Sequence, residues 1–299
     1  MNMMARPVLE DDGAAAQHRR LSALNRARLA PGLPDADWAG QAAARQAAEL
    51  EEERFLAGAR ARVADVAADC PRDAAGFVAW FEALRLTGPG QDDTLFPWLA
   101  ARAPLAAMRW FLAQEVAGEA GFDDLTAMTM LRMPQRPKLE LARNLWDEMG
   151  RGQARAMHGP LLERLAARLA LDAVAGEIVW EASALANTMA GLAANRRYAF
   201  HAVGALGVVE LTAPDRAAQV DAGLRRLGVE ARDRHYFALH AVLDVKHSAA
   251  WNAEVIVPLV EAEPRVAVAI AEGALMRLAC GAACFARYRA ELAKDGAPF

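Results

Sequence analysis

The chain has 299 residues, 55% of them hydrophobic and 24% charged, so it is long and apolar enough to bury a large core and is not a disordered chain. Lys and Arg number 34 against 38 Asp and Glu, a formal charge of −4, which lacks the bulk basic excess of a nucleic-acid binder. Three cysteines (Cys70, Cys280 and Cys284) exclude a disulfide scaffold and any metal site built from four thiolates.

Met1 to Pro7 runs straight into Glu10-Asp11-Asp12, without the apolar segment of a signal peptide. No uninterrupted apolar run reaches the roughly 18 residues of a membrane span. A cytoplasmic protein without a membrane partner is the expectation. Residues 1–60 are polar and rich in Ala, Arg, Gln and Glu, which predicts a partly helical extension, docked on the body as a solvated helix or reaching out as an oligomer arm. A body domain is expected over 61–299. Helix formers dominate and period-two alternation of β-branched residues is scarce, so the whole chain reads as all-α. The best strand candidate, Val208-Val209, lies in an uncharged small-residue stretch that suits a tightly packed buried helix equally well.

Pro and Gly punctuate the chain at helix-sized intervals. Pro71 opens a segment ending near Leu86. Pro104 opens one that passes through Glu115 and ends near Gly118 or Gly121. Pro137 opens Lys138 to Met149, closed by Gly150-Arg151-Gly152. Further helices are predicted over 154–170, 177–195, 197–211, 214–227, 231–248 and 264–291, with Asp215 and Asp233 suited to helix starts.

Four places put polar groups where such helices should be apolar. In His235–Ser248, His240, Asp244 and His247 stand at i, i+4 and i+7, within about 60° of each other on a stripe roughly 10 Å long. Two imidazoles and a carboxylate suit divalent iron, zinc or manganese; a surface helix whose Asp244 pairs with His247 or a lysine is the other reading. Glu148 and His158 are ten residues apart, about 15 Å along a straight helix, and can share a site only if the chain bends at Gly150 and Gly152. Glu115 falls on the apolar side of its helix, where a carboxylate must be paired, protonated or metal-bound. Glu210 ends the uncharged stretch that starts at Tyr198. The set holds four carboxylates and three imidazoles on several helices, the ligand inventory of a two-iron centre in a helical bundle.

No Glu-x-x-His occurs in the chain, which argues against the ferritin-like version of such a centre. The ligand order instead resembles the heme-oxygenase-like diiron oxidases and oxygenases, the iron-containing redox enzymes. Glu148 stands 33 residues after Glu115, His158 ten after that, and His240-x3-Asp244-x2-His247 closes the pattern. The words Asp147-Glu148-Met149-Gly150-Arg151-Gly152 and Leu243-Asp244-Val245-Lys246-His247-Ser248 are similar to that family's as well. The resemblance spans roughly residues 70–290. It implies a heme-oxygenase-like bundle of about seven or eight core helices, and two Fe ions held by Glu115, Glu148, His158, Glu210, His240, Asp244 and His247. Asn144 and Asp147 would orient the ligands. Oxygen would be the co-substrate, reduced to a peroxo-diferric intermediate. Glu210, thirty residues before His240, matches the extra carboxylate of family members that N-oxygenate amines, so the reading leans to N-oxygenation of an amine or amino-acid-like compound. Oxidative C–C cleavage or desaturation of an amino or fatty acid is the alternative. A metal-free enzyme of the thiaminase II or pyrroloquinoline-quinone synthase type, or a non-catalytic binding protein, is the rival class.

No residue identifies the substrate. Its cavity is expected among Trp110, Trp146, Trp180, Phe200, Tyr236 and Phe237, with Arg196, Arg197, Arg232 or Lys246 available for a substrate carboxylate. Glu119, Asp123 and Asp124 read as solvated helix-end residues. Cys280 and Cys284 read as small buried apolar residues, and His201 and His235 as satisfied core or surface histidines. Beyond a small-molecule substrate, an external electron donor and a homodimer are compatible with the sequence.

Overall fold

The computed structural model describes residues 8–34, 37–173 and 178–299; the amino-terminal reading over Met1–Pro7 and residue 177, the predicted start of a helix, lie outside them. The described residues form helices and connections, with no β-strand among them. In chain order the α-helices are α1 (Val8–Leu29), α2 (Trp38–Ala61), α3 (Ala64–Ala68), α4 (Ala74–Thr87), α5 (Leu95–Ala101), α6 (Leu105–Gly118) and α7 (Phe122–Thr129). They continue with α8 (Gln135–Glu148), α9 (His158–Arg168), α10 (Trp180–Ala194), α11 (Ala199–Arg226), α12 (His235–Trp251), α13 (Val257–Ala262) and α14 (Val266–Lys294). Eight of those beyond residue 61 have eleven residues or more: α4, α6, α8, α9, α10, α11, α12 and α14.

Local chemistry sets several boundaries. Asp73 caps α4 by accepting from the Gly76 N–H at 2.8 Å. Pro104, in extended conformation, precedes α6 and ends what comes before it. Three expectations are corrected. The segments 197–211 and 214–227 are one helix, α11, with Pro214 inside it. An internal proline costs about 3 kcal/mol, and the neighbours that bury α11 along most of its length hold it in register. Asp215 is therefore no helix start; its side chain reaches Arg85 at 3.3 Å. Asp233 does not cap α12 either, but is buried against Arg168 and Arg232. Finally, residues 154–156 form a 3-10 turn, and the helix expected from 154 begins only at His158.

The centre of the molecule is the crossing of α11 and α14. A Cβ at Gly204 would lie 1.8 Å from the Ile270 carbonyl oxygen, and one at Gly273 would lie 1.9 Å from that of His201. Only glycine permits backbones this close, which explains why the run over Ala202–Val209 is made mostly of small side chains. Val208, the strand candidate, is fully buried in this helix. Gly207 likewise leaves room for Trp251 of α12, whose indole Nε1 donates to the Val203 carbonyl at 3.2 Å. These contacts lock α12 against α11, and both carry residues of the candidate site.

The first two helices pack on α10. Leu21, Leu24, Leu56 and Ala59 are buried there, Asn25 donates to Asn187 at 2.8 Å, and Arg28 pairs with Glu52 at 2.8 Å. Among the described residues one helix, α14, is long and apolar enough to cross a membrane by length and composition alone; 61% of its most apolar window is buried, as in a core helix.

Candidate metal centre

The sharp turn after α8 brings Glu148 and His158 together. Gly150, Arg151 and Gly152 all take left-handed conformations, with φ of 61°, 53° and 81°. A side chain at Gly150 would collide with the Ala156 carbonyl carbon at 2.5 Å, so glycine is required there both for φ and for space. Arg151 is anchored by donating to Asp147 at 2.6 Å. The chain reverses within ten residues, and His158 Nδ1 ends 2.7 Å from Glu148 Oε2, both side chains being buried.

From the other side, α12 presents His240, Asp244 and His247, and α11 presents Glu210. Two groups of potential ligand atoms result, each with all its atoms within 4.8 Å of one another: Glu148, His158 and His240, and Glu148, Glu210 and His247. Glu148 belongs to both. Asp244 adjoins the second group, with its Oδ1 4.0 Å from His247 Nδ1. Glu115 lines the same cavity but joins neither group; it faces the Tyr288 hydroxyl and the charges of Arg277 and Arg216.

The neighbours aim these ligands. His240 Nδ1 lies 2.8 Å from the Tyr236 carbonyl, a contact that fixes its N–H on that side and leaves Nε2 as a lone-pair donor. His247 Nε2 contacts Asp147 Oδ2 at 3.1 Å, leaving Nδ1 turned toward Glu210, 3.4 Å away. Asn144 donates to Glu210 Oε1 at 2.5 Å. Asn144 and Asp147 thus stand behind Glu210 and His247.

The electrostatics describe a site built for a cation. Burial, and after it the charge of Glu210, push the Glu148 carboxyl well above the usual range. Burial, Glu210 and Glu148 raise Asp244 in the same way. Burial lowers His158 and His240 to about 4, so both rings are neutral at pH 7 and free to ligate. Burial opposes charge on His247 too, but Glu210 and Asp147 outweigh it and raise that ring to about 9. Four buried atoms of this one region, His158 Nδ1, Asp244 Oδ1, His247 Nδ1 and Asn144 Oδ1, have no hydrogen-bond partner. Buried polar atoms are almost always satisfied. His158 Nδ1 is instructive: it lies 2.7 Å from a carboxylate oxygen without hydrogen-bond geometry, as two ligands of one ion do. The oxygen and nitrogen donors without thiolate fit iron, and three clustered carboxylates need positive charge to ionise together.

A family model described as iron-containing redox enzyme matches residues 109–282, more than half of the chain and a span that includes all seven candidate ligands. The chain belongs to the iron-containing redox enzyme family. Its all-α bundle is accordingly the heme-oxygenase-like one. A search of the curated proteins finds no match.

A cavity of about 150 Å³ adjoins the cluster and is bordered by Glu148, Glu210, His240 and Asp244. Of the aromatics expected to line it, Tyr236 and Phe237 do. Trp110 packs edge-on against Tyr288, Trp180 stacks on His18, and Trp146 is half exposed over Gly152. Phe200 packs against the hydrophobic core instead. Phe96, Phe122 and Phe285 take their places, on elements whose approach no local sequence pattern announced. The cations suggested for a substrate carboxylate are elsewhere too: Arg196 donates to the backbone carbonyls of Met128, Thr129 and Leu131, Arg197 pairs with Glu53, and Arg232 with Glu230. Lys246 is exposed. The cavity's arginines are Arg216 and Arg277, and Glu119 stands at its edge, where it also accepts from the Phe122 N–H at 3.1 Å. His201 is a satisfied core histidine against Glu272 at 2.8 Å, His235 is exposed, and Cys284 is fully buried.

Proposed function

We propose that the protein is a non-heme diiron oxidoreductase that uses O2 to oxidise a small organic substrate. One observation carries this reading: two groups of potential ligand atoms, buried except for the half-buried His240, share Glu148, so that one carboxylate would be available to two ions. His158 and His240 would serve one ion, and Glu210 and His247 the other, with Asp244 and Glu115 available from the cavity side. With all four carboxylates ionised, two divalent ions leave the centre neutral. When bound, the iron pair supplies the electrons and the open coordination positions that activating O2 requires.

The residues of the chain do the rest. Neutral His158 and His240 present lone pairs without first losing a proton, whereas His247 must release one, and Asp147 is placed to take up its hydrogen bond at Nε2. Tyr236, Phe237, Phe96 and Phe285 give the cavity an apolar side, which limits the water around a reactive centre and so its side reactions. The presence of Glu210 inside the shared cluster supports the narrower reading, N-oxygenation of an amine or amino-acid-like compound, since it is the extra carboxylate that distinguishes such family members. The test is O2 uptake by protein loaded with Fe(II) under anaerobic conditions. Uptake that depends on iron, and that is lost in Glu148→Ala and His240→Ala, is expected. Iron-loaded protein that consumes no O2 would overturn the reading.

A further inference from the structure

Two arginines face the cavity beside the cluster, and among the described residues neither is in ion-pair contact with a carboxylate. Arg216 comes from α11 and Arg277 from α14. The Arg216 guanidinium sits against the Phe96 and Phe285 rings, 5.9 and 5.5 Å from their centroids. Its Nη2 donates to Thr212 Oγ1 at 2.7 Å, and that hydroxyl donates in turn to the Val208 carbonyl at 2.7 Å. The group is therefore aimed, by two adjoining rings on one side and by a hydroxyl locked to the helix backbone. Arg277 lies across Gly281, whose missing side chain makes room for it: a Cβ there would be 2.9 Å from Arg277 Nη1. Among the described residues neither guanidinium has an ion-pair partner, and Thr212 is Arg216's hydrogen-bond acceptor. Glu115 and Glu119 act on them only at longer range.

Each guanidinium carries five N–H donors. Glu115 supplies negative charge to both from across the cavity, but it leaves most of their N–H donors unspent on a shared, partly desolvated wall, where a further anion can take them up. We propose that Arg216 and Arg277 form a carboxylate-binding subsite of the cavity, and that the substrate is a small carboxylic acid with an apolar body. The planar fork of arginine matches a carboxylate in bidentate fashion. The aromatic walls suit an apolar body. The carboxylates already in and around the cavity disfavour a doubly charged phosphate ester. Glu210 and Arg216 are six residues apart on α11, about 9 Å along the helix, which leaves a chain of several carbons between the held carboxylate and the end that meets the cluster. The assignment rests on the proposed metal centre only for what that far end meets.

The experiment is calorimetric titration of hexanoate, hexanamide and hexyl phosphate into metal-free protein and into anaerobic Fe(II)-loaded protein, for wild type, Arg216→Gln, Arg277→Gln and His240→Ala. Hexanoate is expected to bind wild type and His240→Ala, with or without iron. In either arginine variant its affinity should fall at least about tenfold, the scale of one charged hydrogen bond, while iron uptake stays at the wild-type level. Hexanamide and hexyl phosphate should bind at least about tenfold more weakly than hexanoate. Where a Gln variant loses its far-UV circular dichroism spectrum, Arg216→Lys and Arg277→Lys, which keep the charge and lose the fork, are read by a weakening of about threefold or more. The subsite is overturned if hexanoate does not bind wild type, binds the arginine variants as tightly, or binds only when iron is present. Equal binding of hexanamide overturns it as well, and tighter binding of hexyl phosphate overturns the carboxylate class. Arg-dependent hexanoate binding in a protein that takes up no iron would sink the metal centre and leave the subsite standing.

Discussion

Asp147 touches no other candidate ligand than His247, yet it decides where that ring points. Against the opposing effect of burial, hydrogen bonds from Arg151 and His247 hold its carboxyl below the ordinary range, so it is an anion at neutral pH and a strong acceptor. Removing a partner that orients a metal-bound histidine typically costs about 10–100-fold in metal affinity. Asp147→Asn is therefore expected to weaken Fe(II) binding by about that factor without unfolding the protein, as measured by anaerobic titration with a competing chelator. An unchanged affinity would mean that His247 is oriented by Glu210 alone. Asn144 and Asp147 were legible in the sequence because each sits within one helical turn of Glu148. Arg216 and Arg277 were not. Each looks like any arginine of an amphipathic helix, and only the crossing of α11 and α14 turns both toward one cavity.

Helices place these residues, and glycines place the helices. The approach of α11 to α14 at Gly204 leaves no space for a methyl group, because the nearest atom is backbone and cannot turn aside. Gly204→Ala must push the two helices apart, and overpacking of this kind costs about 1–3 kcal/mol or more. A lower urea midpoint with an unchanged slope is the expected result, and a midpoint equal to wild type would show that the crossing is looser than described. Gly150 acts differently, through its left-handed φ as well as its contact with Ala156. Gly150→Ala should both destabilise the turn and draw His158 away from Glu148, so that iron affinity falls together with the thermal midpoint. The sequence announced this bend, since Glu148 and His158 could meet in no other way, but it misread α11. Pro214 has the look of a helix start, and its placement inside α11 depends on burial that no local pattern reveals.

In the whole molecule the all-α class was legible from helix formers and the absence of alternation, and the candidate ligands from their spacing and the family resemblance it carries. How the first two helices sit was not, because the stripe that α1 buries, His18, Leu21, Leu24 and Asn25, is half polar. Their docking has a pH dependence. His18 is buried on α1, stacked on Trp180 with its Nδ1 3.4 Å from the Asn187 amide, and burial lowers its pKa from 6.5 to about 4 in spite of Glu51. The ring is neutral in both states well above pH 6.5. As pH falls below that, the unfolded chain takes up the proton first, so stability declines until about pH 4. At pH 5 the loss is roughly 2 kcal/mol. His18→Gln should remove that share of the acid sensitivity, seen as a smaller difference between urea midpoints at pH 7.5 and pH 5, and an undiminished difference would place the sensitivity elsewhere.

Carboxylates too close to ionise together, the neutral rings of His158 and His240 and buried atoms without partners all describe one region suited to positive charge. The most direct test is the stoichiometry of Fe(II) bound per chain under anaerobic conditions, measured for wild type, Glu148→Ala and His158→Ala. Two ions per wild-type chain are expected, with both affinities weakened by Glu148→Ala, because Glu148 is shared, and one of them chiefly by His158→Ala. One ion per chain, or a Glu148→Ala variant that still holds two ions as tightly as wild type, would contradict the bridged centre.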